Sequence, residues 1–136
     1  MIFTQPELEY VKSQFLARLA TVQPDGTVQV NPVCYRYNER LNAFEIGGFN
    51  FARSRKFRNI AANGKAALVV DDVVSTDPWR IRCLEIRGKG TVEIEPQAFP
   101  DLDDEIIRLY PRRVISFGID APDKAPHELV SHNRDV

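Results

Sequence analysis

Residues 53–58 read Arg53-Ser54-Arg55-Lys56-Phe57-Arg58, four cations within six positions of a 136-residue chain whose formal net charge is only −1. Positive charge packed so locally against a neutral background is suited to holding an anion, and does not describe a generally basic protein. A guanidinium grips phosphate oxygens with two parallel hydrogen bonds, an ammonium adds a point charge, and a hydroxyl donates one bond more. Phe57, Ile60, Ala61 and Gly64 recur at i, i+3, i+4 and i+7, which predicts a helix with a narrow apolar stripe. On the same wheel Arg55, Lys56 and Asn59 gather on the opposite side. Ser54 falls near the helix start, where free backbone N–H groups and the positive dipole end favour anions. Phosphate is the natural guest, and a solvated basic face is the alternative that charge alone leaves open.

Other chemistry is sparse. The two histidines, His127 and His132, lie in a polar C-terminal stretch with no partnering cysteine, so no metal site is expected. Cys34 and Cys83 are too few and too far apart for a disulfide framework and fall inside apparent strands, where reduced, buried thiols are expected. There is no convincing Ser-His-Asp set and no carboxylate pair in a cleft pattern, so no catalytic acid or base is assigned. Asp71-Asp72, at an apparent strand end, is expected to be solvated. Tyr35 and Tyr37 share a strand face with Asn31 and Val33. Packing is the main expectation for both, with pocket lining or proton donation left open.

The elements that must position these groups are legible in outline. Thr4-Gln5-Pro6-Glu7 has the form of a capping box, and Leu8, Val11 and Phe15 follow at helical spacing. Residues 16–22 and 27–37 are rich in strand formers and flank Pro24-Asp25-Gly26, which predicts a hairpin. A strand over 43–48 leads through Gly47-Gly48 and the basic helix to a strand over 65–70. Pro32 inside a strand requires an edge or an interruption there, because it cannot donate to the ladder. A planar ring could use that gap, with the backbone of Asn31, Pro32 and Val33 at its polar edge and Gly47 and Gly48 allowing close approach. Alternation over 80–95, with Gly88 and Gly90, predicts a long bent strand. Asp101-Leu102-Asp103-Asp104 puts acids in the first turn of a helix expected to run through Ile106, Ile107 and Tyr110, broken by Pro111 and followed by a strand over 114–119. From Ala121 onward the sequence lacks periodicity and is expected to be a polar tail, disordered or laid across a partner.

Length fits one domain, residues 1–120, followed by the tail 121–136. Six strands and about three helices predict a mainly β fold with flanking helices, a six-stranded antiparallel barrel. Near-neutral charge argues against nucleic acid as the partner. No apolar run approaches the ~20 residues of a membrane span, and the first residues lack a charged-then-apolar signal pattern, so no membrane association and a cytoplasmic location are expected.

The order Leu19-Ala20-Thr21-Val22 with Pro24-Asp25-Gly26, Val30-Asn31-Pro32-Val33, Ile46-Gly47-Gly48, Ser54-Arg55-Lys56 and Ala66-Ala67-Leu68-Val69-Val70-Asp71-Asp72 resembles the pyridoxamine 5'-phosphate oxidase-like, FMN-binding split-barrel superfamily. Asp77-Pro78-Trp79-Arg80, Leu84-Glu85-Ile86-Arg87-Gly88 and Arg113-Val114-Ile115-Ser116-Phe117-Gly118 are similar to its branch of small F420-dependent enzymes. Cys34 stands where members of that branch often have glycine, and Phe49 or Asn50 where they often have histidine. The resemblance implies a split barrel that binds F420, or alternatively FMN, and reduces a small electrophilic substrate. A flavin- or deazaflavin-binding protein without turnover is the third possibility. It places the cofactor phosphate against Ser54, Arg55, Lys56 and Asn59 and the ring beside Asn31, Pro32, Val33, Gly47, Gly48 and Asn50. It further implies a homodimer with cofactor sites at the interface, Trp79 and Arg80 coming from the second subunit. Arg53, Arg58, Arg80 and Arg82 would supplement the central pair along a polyglutamate tail. Pyridoxamine phosphate oxidation itself is not expected, because the tail shows no evident arginine-histidine substrate segment.

Overall fold

The computed structural model describes residues 1–136. Its elements are α1 (Gln5–Ser13), β1 (Leu16–Val22), β2 (Val28–Asn38), β3 (Ala43–Ile46), α2 (Arg55–Asn63), β4 (Lys65–Thr76), β5 (Trp79–Ile94), β6 (Glu105–Phe117) and β7 (His132–Asp135). All ladders are antiparallel, in the order β3-β2-β1-β4-β5-β6-β7, and a further β3–β6 pairing closes the sheet on itself. This is the expected mainly β split barrel, with seven strands where six were expected and two α-helices where about three were expected.

The barrel is split because β2 changes partners along its length. Residues 28–34 pair only with β1, whereas 35–38 pair with β3. The backbone edge from Val28 to Val33 therefore has no second neighbouring strand, and Pro32 sits in that one-sided stretch opposite Arg18, where its missing N–H costs no ladder bond. Inside, Leu19, Phe44, Ile46, Leu68, Leu84, Ile86, Ile107 and Leu109 are fully buried. Phe3, Tyr35 and Tyr37 pack around Phe44 at ring separations of 4.9–6.0 Å. α1 begins with the complete Thr4–Glu7 capping box and covers one end of the barrel, and α2 packs against β1 and β5.

Two segments differ from expectation. The helix expected from Asp101 through Tyr110 is strand β6, and Ile106, Ile107, Arg108 and Leu109 are buried in succession. A strand covered on both faces presents a continuous run of buried residues that mimics helical spacing. Pro111 does not end an element. It lies at a β-bulge opposite Gly88, where a Cβ on the glycine would come 2.1 Å from the Tyr110 carbonyl oxygen. The second difference is the polar tail, whose residues 132–135 return to pair with β6 as β7. Arg134 fixes them by two bonds to the Glu7 carboxylate, at 2.6 and 3.1 Å, and one to the Ile2 carbonyl.

Candidate functional site

The basic helix starts where expected. Ser54 is the N-cap of α2, its Oγ accepting from the Phe57 N–H at 3.3 Å and donating to the Phe51 carbonyl at 2.7 Å. Because Arg58 N–H bonds to the Ser54 carbonyl, the N–H groups of Arg55 and Lys56 are the free donors of the first turn. The Ser54 proton is already used within the chain, so its main work here is to set the helix start. Arg53, Arg55 and Arg58 are exposed and Lys56 is half-buried, its Nζ 5.9 Å from the centre of the Phe51 ring. None of these four cations has a carboxylate partner, whereas Arg18, Arg36, Arg82, Arg87, Arg108, Arg113 and Arg134 all do. An unpaired cluster beside free helix donors has the chemistry to hold an anion and forms a candidate anion seat.

The inward face of α2 keeps Phe57 and Ile60 of the stripe read from the wheel and departs from it at two positions. Ala61 is exposed, and the face turned to the barrel carries Asn59 and Ile60, with Asn63 at its end. Ile60 packs against Gly90, where a Cβ would come within 2.8 Å of its side chain, so that glycine lets the helix lie close to β5. Asn59, expected beside Arg55 and Lys56 on the outer side, is instead fully buried and donates through Nδ2 to Thr21 Oγ1 at 3.0 Å. Asn63 donates to the Val22 carbonyl at 2.7 Å, so two amides hold α2 along β1.

The remaining expected site residues divide by place. Asn31 lies on the inner face of β2 with its Oδ1 buried, Val33 is part of the core, and Pro32 is exposed on the outer face. Gly47 and Gly48 do permit close approach, but the visitors are the rings of Phe99 and Phe51, which would lie 2.6 and 2.8 Å from added Cβ atoms. Asn50 takes a left-handed conformation, φ 49°, and its carbonyl accepts from Arg53 N–H in the 3-10 turn Phe51–Arg53. Trp79 and Arg80 stand at the tip of the β4–β5 hairpin, while α2 leads into the opposite end of β4 at Lys65. A 12-residue strand at ~3.3 Å per residue spans at most about 36 Å, so the two ends lie well beyond the reach of one side chain.

Several groups that might have taken part are engaged elsewhere. Asp72 is not solvated: Arg82 binds it with two bonds of 2.7 and 3.0 Å, and Tyr10 donates to it at 2.8 Å. Those bonds hold the Asp72 carboxyl below its usual range, the Arg82 contribution being the largest, and they remove Arg82 from any anion site. Tyr35 donates to the Val11 carbonyl and its phenol is pushed up by burial, while Tyr37, bonded to Asn42, is raised to about 12. Neither is poised to give up a proton. The Cys83 thiol, raised by burial and by Asp71 and Glu85 to about 11, is an inert packing group.

The residues not anticipated from sequence are Thr21 and Gln29. Gln29 Oε1, Asn31 Oδ1 and Asn59 Oδ1 are buried without a hydrogen-bond partner, and Gln29 lies opposite Thr21 in the β1–β2 ladder. The signal was available in principle, since Gln29 and Asn31 put polar side chains on the same strand face as Val33. Free helix donors, unpaired cations and donor-hungry amides together fit a guest with an anionic end and a hydroxyl- or N–H-bearing body.

Known proteins resemble the chain in sequence and in fold. The family described as pyridoxamine 5'-phosphate oxidase matches residues 4–131. Over 124 residues the chain is 41% identical to a 5a,11a-dehydrotetracycline/5a,11a-dehydrooxytetracycline reductase of Streptomyces rimosus subsp. rimosus, covering 88% of this chain and 86% of the relative. Among solved structures it resembles a conserved hypothetical protein of Mycobacterium tuberculosis, with TM-score 0.68, 18% identity and 85% of each chain covered. A pyridoxamine 5'-phosphate oxidase-related, FMN-binding protein of Nostoc punctiforme gives TM-score 0.60 at 14% identity, covering 95% of this chain and 92% of the other. At such identities the solved structures speak to fold, and the match over nearly the whole chain speaks to descent: the chain belongs to the pyridoxamine 5'-phosphate oxidase family.

Proposed function

We propose that the protein is an F420-dependent reductase that delivers a hydride to an activated carbon–carbon double bond of a small polycyclic molecule, working as a homodimer. The observation that carries this reading is the set of four unpaired cations around the start of α2. FMN ends in one phosphate, whereas F420 continues from its phosphodiester into carboxylates, and Arg53 and Arg58 extend the central pair for such a tail. The reductase relative supports turnover over mere storage, and its dehydro substrate supports an electron-poor double bond as the acceptor.

When bound, the reduced deazaflavin supplies the hydride and its electronic activation. The chain's own residues bind and orient. Arg55 and Lys56, with the free N–H groups of their own first turn, would hold the phosphate, and the one-sided edge of β2 would seat the ring. Phe51 and Phe99, packed on Gly48 and Gly47, help keep that region dry. FMN dependence is the second reading, favoured by the loss of Arg82 to Asp72 and by the FMN-binding structural neighbour.

The homodimer is supported by the outer face of the sheet. Leu16, Val28, Val30 and Val73 are 50–65% exposed there, on either side of the Arg18–Asp71 ion pair, and exposed apolar side chains on one sheet face favour association. For the cofactor, the double variant Arg55→Ala/Lys56→Ala is expected to bind F420 at least ~100-fold more weakly with an unchanged far-UV spectrum, each charged hydrogen bond contributing about 1.5–3 kcal/mol. Wild-type protein that binds FMN in titration and ignores F420 would overturn the F420 assignment.

A further inference from the structure

Across the whole chain, three buried side-chain polar atoms lack a partner, and all three are amide oxygens: Gln29 Oε1, Asn31 Oδ1 and Asn59 Oδ1. They are not scattered. Gln29 and Asn31 are two residues apart on β2 and so face the same side, and the register sets them opposite Thr21 and Leu19, both buried on the inner face of β1. Asn59 comes to the same place from α2, its Nδ2 on Thr21 Oγ1 at 3.0 Å. Thr21 is thus the hub around which three unsatisfied oxygens are gathered, a few residues from the anion seat at the start of the same helix.

A buried acceptor without a donor carries its full desolvation cost, and folded proteins keep few of them without a functional reason. Because all three are acceptors, the missing partner must be a donor, which a phosphate is not. The β2 edge beside them has no second strand along residues 28–33, and this is the side from which a guest would reach them. We propose that Gln29, Asn31 and Asn59, ordered around Thr21, form a hydroxyl-reading subsite for the polyol chain that joins the ring of the cofactor to its phosphate. The inference rests on the reading that a flavin or deazaflavin binds, and is indifferent to which, since both carry the same ribityl chain.

The test uses the full chain and the double variant Gln29→Met/Asn31→Leu, which removes two of the unsatisfied oxygens at similar side-chain size and leaves the Asn59–Thr21 bond in place. Thermal unfolding without ligand is expected to be unchanged or shifted upward. Fluorescence titration is made with flavin and 5-deazaflavin rings that carry the ribityl chain, and with the same rings methylated in its place. The variant should lose at least ~10-fold affinity for the ribityl compounds and none for the methyl compounds. A lowered unfolding midpoint with equal weakening of both would show structural amides served by buried water and would overturn the proposal, as would unchanged affinity for the ribityl compounds. Wild-type protein that binds none of the rings would overturn the cofactor reading, and the subsite with it. Lys56→Ala separates the two sites, since it should weaken FMN while sparing phosphate-free riboflavin.

Discussion

At the scale of single residues, the charges of this chain sort into those that hold the fold and those kept free. Glu45 is fully buried in the barrel wall and receives Arg108 through two bonds, at 2.6 and 3.0 Å, and Arg36 at 2.7 Å. Burial alone would raise its carboxyl, but the hydrogen bonds from Arg108 and then Arg36 outweigh it and hold the group below its ordinary 4.5. Glu7 behaves alike: burial pushes up, and Arg134, Ser116 and the Thr4 N–H pull it down further than burial raises it. A carboxylate whose folded pKa is depressed contributes stability that is fully present above its unfolded value and is lost as pH falls through the folded one. Denaturant midpoints are therefore expected to be flat from neutrality to about pH 5 and to fall steeply below about pH 4.5. Glu45→Gln should cost roughly 3–5 kcal/mol at pH 7, because the buried Arg108 would lose its close counter-charge and keep only the more exposed Glu95 at 3.8 Å, and should flatten the acid limb. Urea unfolding at pH 7 and pH 4 reads both effects, and an acid limb identical to wild type would show that Glu45 does not carry it. The free cations of α2 were legible in the sequence because charge density needs no tertiary context. The burial of Asn59 was not, since a wheel ranks residues by polarity and cannot know that Thr21 waits on the neighbouring strand with a hydroxyl acceptor.

At the scale of elements, local chemistry was readable wherever it alone decides the backbone. The Thr4–Glu7 capping box, the turn at Pro24-Asp25-Gly26 and the glycines of β5 all fall where the sequence puts them. β6 was hidden because residues 106–109 are buried on both faces, erasing the alternation that marks a half-exposed strand, and because its partner β3 lies far away in sequence. β7 was hidden for the opposite reason, a four-residue polar strand that owes its place to ion pairs and carries no apolar pattern. Those ion pairs are unequal. Arg134 meets a buried carboxylate, whereas Arg113 meets the exposed Asp135 at 2.8 Å. Arg134→Ala is expected to lower stability by roughly 2–4 kcal/mol and to raise amide exchange across β7 and the start of α1, since it strands Glu7 in the interior. Arg113→Ala should cost at most about 1 kcal/mol. Equal effects from the two variants would show that β7 is held by its ladder and not by the Glu7 contact.

For the whole molecule, the decisive geometry is the length of the β4–β5 hairpin. Its tip, with Trp79 half-exposed and Arg80 beside it, is the start of β5, whereas the start of α2 lies by Val92 and Ile94 at the end of that 16-residue strand, so within one chain these residues and the anion seat belong to different ends. A twofold pairing of the apolar outer faces would make the contact isologous and bring each hairpin towards the other subunit. Val30→Glu, which places a charge on that face opposite Ala20 of β1, should convert the proposed dimer to monomer in sedimentation and weaken cofactor binding at the same time. Mixing separates a shared site from a merely adjacent one. A chain carrying Arg55→Ala/Lys56→Ala and a chain carrying Trp79→Ala/Arg80→Ala are each expected to bind cofactor poorly alone. If each site draws α2 from one copy and the hairpin tip from the other, a mixed dimer concentrates all four substitutions in one site and leaves the second intact. Unfolding and refolding the two chains together should then restore about a quarter of the wild-type binding capacity, since half the dimers are mixed and each keeps one good site. Sites built within a single chain would gain nothing from mixing, because every subunit in the mixture still carries its own defect.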